Sequence, residues 1–178
     1  MVTPFSPQEL PTDTKLVKSY EYSIDVLKSG GTAPEYADGE WLRVRFLSAV
    51  DPDVSNVEVD GATYEDKGSP HPIVTGENWT LNFTIQLHRK DDGSFLEEVE
   101  EFMKRTRPGA NNSIVVRWYD DPRGTSNAKP NKDEAYVGTA TVTIKRGETG
   151  NAGIGTCSIT LTGQGPRVKT KNPLAADA

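Results

Sequence analysis

Residues 134–165 read EAYVGTATVTIKRGETGNAGIGTCSITLTGQG. Tyr136, Gly138, Ala140, Val142 and Ile144 alternate with Val137, Thr139, Thr141, Thr143 and Lys145. Cys157, Ile159 and Leu161 alternate with Thr156, Ser158, Thr160 and Thr162. Strict period-two alternation places one set of side chains toward a core and the other toward solvent or a partner. The intervening GETGNAGIG is rich in residues that tolerate positive φ, so the two runs read as a β-hairpin with an extended turn. Apart from Val137 and Lys145, the outward set is short, neutral and hydroxylated.

Working outward, residues 78–88, NWTLNFTIQLH, give the cleanest strand. Trp79, Leu81, Phe83, Ile85 and Leu87 share one face; Asn78, Thr80, Asn82, Thr84, Gln86 and His88 share the other. Strands are also expected over 19–28 (Tyr20, Tyr22, Ile24 and Val26 in phase), 41–47 (Leu42, Val44 and Phe46 in phase) and 113–119. Residues 94–107 read as the helix. Phe95, Val99, Phe102 and Met103 make an apolar stripe, Ser94 and Glu97 match a capping box, and Pro108–Gly109 stop it. That stripe reads as plain packing against a sheet. Residues 50–76 read as a long polar loop, with a short alternation at Val54, Val57 and Val59 that allows a small hairpin. A loop of this length is functional or disordered, which makes it the chief functional candidate. Residues 1–18 read as an arm, 120–134 as an exposed tip and 166–178 as a polar tail.

The chain has 178 residues and a formal net charge of −6, enough for one domain with arms and without the basic patch that nucleic-acid binding needs. MVTPFSPQELPTD lacks a signal-peptide pattern, and no apolar run approaches the length of a membrane span. Synthesis in the cytoplasm is expected. The single cysteine, Cys157, lies in an apolar phase and reads as a small core residue.

Chemistry needs convergent groups, and the sequence offers none. His71 and His88 stand on different elements without cysteine partners, which disfavours zinc. Asp51-Pro52-Asp53 with Ser55 begins like a calcium loop but has Asn56 at the turn glycine and Ala62 at the bidentate glutamate. Asp91–Asp92 and Asp120–Asp121 flank element ends, where aspartate serves caps and turns. GxSxG and Walker motifs are missing, and Gly153–Gly155 precedes a strand rather than a helix. No catalytic residue, metal or cofactor is expected, and the chain is not expected to be an enzyme.

The order of strand, glycine-rich turn, GTCSITLTGQGPRV, NP and short polar tail resembles the end of the major tail tube proteins of long-tailed bacteriophages. The layout agrees from about residue 20 to 173, with strands starting at Trp41 and Trp79, a long polar loop and one helix. The expected fold is mainly β: a β-sandwich or half-barrel with one flanking α-helix. The resemblance implies hexameric rings stacked into a tube, a virion location, tape-measure and tail terminator proteins as partners, and DNA passing through without specific binding. It also implies ring-to-ring contacts by residues 1–18, 50–76 and 166–178. Within the loop, Asp51, Asp53, Asp60, Glu65, Asp66, Lys67 and His71 are the stacking candidates. Thr80, Thr84, Thr141, Thr143, Ser158 and Thr160 are candidates for a lumen face, where lysine would brake DNA. The plain alternative is that they are good β-formers on a solvated face. The rival readings are a monomeric β-sandwich binding or adhesion module and a secretion-system tube protein.

Overall fold

The computed structural model describes residues 16–106, 112–122, 128–147 and 153–175. Outside them lie most of the expected arm, the Pro108–Gly109 helix stop, much of the 120–134 tip, the turn at 148–152 and the last residues of the tail.

Eight strands are seen among the described residues: β1 (Tyr22–Ser29), β2 (Glu40–Arg43), β3 (Leu47–Asp60), β4 (Pro72–Gln86), β5 (Ser113–Asp120), β6 (Ala135–Arg146), β7 (Thr156–Gly163) and β8 (Val168–Lys169). They form one antiparallel sheet in the order β2-β1-β5-β6-β7-β4-β3. β8 adds to β6 at Tyr136 and Val137, beyond the reach of β7, which begins pairing at Ala140. The two edge strands are neighbours in sequence, separated only by Val44, Arg45 and Phe46. A connection that short spans at most about 14 Å. The sheet must therefore curl until its edges approach, which makes it a half-barrel. The expected single strand over 41–47 breaks here. Phe46 takes φ 58 and turns the chain, while the Val44 N–H still bonds to Ile24 O at 2.9 Å.

The concave core follows the alternation. Ile24 and Val26 from β1, Trp79, Leu81, Phe83 and Ile85 from β4, Val116 and Trp118 from β5, Ala140 from β6 and Ile159 and Leu161 from β7 are buried. Burying each of the larger of these side chains contributes roughly 1.5–3 kcal/mol. The helix α1 (Glu97–Lys104) closes one side, with Phe102 edge-on to Phe83 at 5.6 Å between centroids. It is shorter than the expected 94–107, and the capping box does not form. Ser94 instead closes an aspartate turn, its N–H and hydroxyl both donating to Asp92 Oδ1 at 2.9 and 2.6 Å. Leu96 is the extended residue before the first helical turn, and Glu100 accepts from the Phe95 N–H at 3.0 Å.

Two further expectations change. Most of residues 50–76 is strand, because β3 and β4 pair continuously from Leu47–Ile85 to Asp60–Pro72 through two bulges. Pro52 is tolerated because β3 is an edge strand, where one missing N–H costs little. The tail is also built into the fold up to residue 175. Beyond β8, the Asn172 side chain is buried and donates to Asp120 O at 2.8 Å and Asn131 O at 2.9 Å.

Candidate assembly surfaces

β4 pairs with β7 only from Thr80 onward. From Trp79 back to Pro72 its described partner is β3 alone, so the two strands leave the sheet as a two-stranded arm. Such a ribbon is marginal in water on its own. This one also exposes Val57, Val59, Ile73 and Val74, and Tyr64 at its tip is fully exposed. Val59 pairs with Ile73 and lies two residues from Val57, which gathers these three on one face of the arm.

The tip is built from short polar contacts. Asp60 Oδ1 accepts from the N–H groups of Ala62 (2.9 Å) and His71 (3.2 Å). Asp66 Oδ2 accepts from the Thr63 N–H (2.7 Å) and hydroxyl (3.0 Å) around a 3-10 turn at Tyr64–Asp66. These donors, the backbone N–H foremost, hold the Asp66 carboxyl below its ordinary value; the Thr63 hydroxyl does the same for Glu65. His71 Nδ1 stands 3.6 Å from Asp66 Oδ1, and Lys67 adopts left-handed backbone at φ 50. The loop candidates thus divide. Asp60, Glu65, Asp66, Lys67 and His71 come together at the tip. Asp51 and Asp53 lie far back in β3, opposite Asn82 and Thr80.

The lumen-face candidates share one sheet face, in register. One row runs Asp53, Thr80, Thr162, Thr141, Ser113; the next Asp51, Asn82, Thr160, Thr143; the third Ser48, Thr84, Ser158, Lys145. Thr160 donates to Asn82 Oδ1 at 2.9 Å, and the Thr84 and Ser158 hydroxyls lie 3.5 Å apart. Among these rows the only cation is Lys145, at the end away from the arm.

Toward β1 the same face changes character, a feature missed in the sequence. Asp25 is buried and receives Arg117 Nε at 2.8 Å, Arg117 Nη2 at 2.7 Å and the Tyr119 hydroxyl at 3.1 Å. Arg43 donates to the Tyr119 hydroxyl at 2.8 Å, and Trp41 covers Arg117 at 4.4 Å. Burial raises the Tyr119 pKa, so its hydroxyl stays protonated. The readable signal was an aspartate placed mid-strand between Ile24 and Val26.

Among the described residues, no group of three or more His, Cys, Asp or Glu could hold a metal ion, and no helix is long and apolar enough to cross a membrane. No protein-family model and no curated protein matches the chain. Among solved structures it is similar to the tube-terminating cap of the anti-feeding prophage. The TM-score is 0.53 at 8% identity, over 96% of this chain and 100% of that one. A weaker likeness, TM-score 0.49 at 7% identity over 88% and 93% of the two chains, is to the sheath-tube complex of an extracellular contractile injection system in its extended state. At such identities, the likeness to the cap establishes a shared fold.

Proposed function

We propose that this chain is a structural subunit that self-assembles into stacked rings of a phage-tail-like tube. The observation that carries this reading is the outer arm, residues 57–76: a two-stranded ribbon that displays apolar residues and, among the described residues, contacts no other element. A second copy supplies the missing cover, and a head-to-tail contact repeated with translation builds an open tube. The fold shared with a tube-terminating cap supports the reading. The sequence resemblance extends it to hexameric rings, the major tail tube of a long-tailed bacteriophage, DNA delivery, and tape-measure and terminator partners. In this reading the particle, not the host cytoplasm, is the final location, and the subunit performs no catalysis.

The open edges β2 and β3 pair or pack with lateral neighbours around the ring, which removes an aggregation hazard. The neutral rows of Thr80, Thr84, Thr141, Thr143, Ser158 and Thr160 then face the channel. Size-exclusion chromatography and negative-stain microscopy of purified protein test the reading: rings or tubes with a central hole are expected. The likeness to the cap favours a second reading, a terminal cap that closes one end of a tube. A cap forms single rings that do not elongate as concentration rises. A strictly monomeric species would support a binding module instead.

A further inference from the structure

The concave core opens at the end of the half-barrel from which the arm leaves, and a hollow of about 410 Å³ lies there. Trp118 is its buried floor; Tyr22 and Tyr136 wall it from β1 and β6, and Pro52 and Val54 from β3. Tyr136 stacks on Trp118 at 6.0 Å between centroids. The rim is held by polar contacts: the Asn131 N–H donates to Asp120 Oδ2 at 2.7 Å, and the Asn172 side chain donates to Asn131 O at 2.9 Å. Burial, and after it the Glu134 carboxylate, raises the Tyr22 pKa, so this hydroxyl stays protonated and can donate. The hollow thus combines aromatic faces with a hydrogen-bond donor.

The chain enters the fold beside this hollow. Tyr22 is the first residue of β1, and Leu16, Val17 and Tyr20 just before it are 92%, 71% and 56% exposed. Ahead of them, residues 1–15 read MVTPFSPQELPTDTK. This stretch has a period of three: Met1, Pro4, Pro7 and Leu10 are apolar, whereas Thr3, Ser6, Glu9, Thr12 and Lys15 are polar. Polyproline II geometry has three residues per turn and rises about 3.1 Å per residue, so it lines the first set along one face about 9 Å apart. Proline brings no N–H, so its ring packs on an aromatic wall without stranding a donor, while the backbone carbonyls stay free to accept. Proline-rich segments dock in aromatic-lined grooves in this way.

We infer that the hollow is a docking site for the Pro4–Pro7 stretch of the same subunit, with the two proline rings seated between Tyr22, Tyr136 and Val54. The site's own chain is the favoured occupant because residues 8–21 tether the two. A short flexible tether holds a segment at an effective concentration on the order of mM, well above a dilute solution of subunits. The seated segment is a shield: it closes the open end of the core and keeps the aromatic wall from a second copy. The inference goes beyond the tube reading and does not need it, since it concerns the isolated subunit. It also places within one subunit a segment for which the sequence resemblance implies only contacts between rings.

Disulfide trapping in the full, dilute chain tests this. Gln8→Cys is combined with Val54→Cys on the concave face or, as the control, with Asp53→Cys, its neighbour on the opposite face of β3. Cys157 is buried and stays in place, and peptide mapping identifies the new bond. The intrachain disulfide should form at least ~10-fold faster to Val54→Cys than to Asp53→Cys, because docking raises the local concentration at one face only. The exposure of Asp53, greater than that of Val54, works against this result rather than for it. Adding Pro4→Ala with Pro7→Ala should lower the fast rate to that of the control, whereas Pro11→Ala, off the apolar face, should leave it fast. Circular dichroism and the melting temperature check that each variant is folded. Equal rates to the two positions, or undiminished trapping without Pro4 and Pro7, overturn the inference. Trapping that is faster between chains, in a mixture of the Gln8→Cys and Val54→Cys single variants, also overturns it and gives the segment to a neighbour. Each of these outcomes is read on subunits before assembly, so failure here leaves the tube reading standing.

Discussion

Trp79 shows how single residues hold this sheet together. Its indole lies across β6 and β7 and donates Nε1–H to Gly165 O at 2.9 Å. The space exists because Gly138 and Gly163 lack side chains: a Cβ on Gly138 would stand 2.5 Å from Trp79 Cζ2, and one on Gly163 would collide with Nε1. Gly138→Ala is expected to destabilise the subunit by about 1–3 kcal/mol in chemical denaturation, the range for overpacking a filled core. Gly155→Ala, whose Cβ meets nothing within 4 Å, should stay within about 0.5 kcal/mol. Cys157 gives a second prediction. Burial pushes its thiol pKa upward, so the reactive thiolate is disfavoured in the folded state. Alkylation near pH ~8 should be slow and should follow unfolding; fast labelling of folded protein would place the thiol outside the core. Such core positions were legible because alternation alone assigns a face. The glycine slot and the Asp25–Arg117–Tyr119 network were not, because both depend on which strands become neighbours.

Among the elements, the arm decides the account, and it was the one misread as a loop. Periodicity reports a strand when one face enters a core. From Glu58 to Val74 neither face does, so the pattern fades although backbone pairing continues. The helix boundary failed for another reason: Ser94 donates its N–H and hydroxyl to Asp92 Oδ1 and does not cap the helix. The register tells where the arm can be cut. Val57 pairs with Gly76, so replacing 58–75 with Asn-Gly leaves a two-residue hairpin turn on matched strands. That variant should melt within a few degrees of wild type and should not form tubes. Removing 51–75 instead strips β3 from Asn78–Asn82 and should lower stability measurably. If the short trim unfolds the protein, the arm belongs to the core and its assembly role falls.

At the scale of the whole molecule, a curled sheet presents a packed concave core on one side and the ordered rows of hydroxyls and amides on the other. The sequence left a half-barrel open beside a sandwich, but the adjacency of edge strands β2 and β3 was not legible, because it hangs on the left-handed backbone at Phe46. If the hydroxyl rows line a channel, Thr80→Lys with Thr143→Lys should fold and assemble. The resulting tubes should retain DNA at low salt and release it as salt rises and counterions compete for phosphate. Tubes indifferent to DNA would turn that face outward. The most direct measurement is negative-stain microscopy of the wild-type chain beside the 58–75 trim, over a range of concentrations. The account predicts rings stacking into hollow tubes for the wild type and unstacked subunits or rings for the trim. A wild-type chain that stays monomeric at every concentration, or a trim that builds the same tubes, contradicts it.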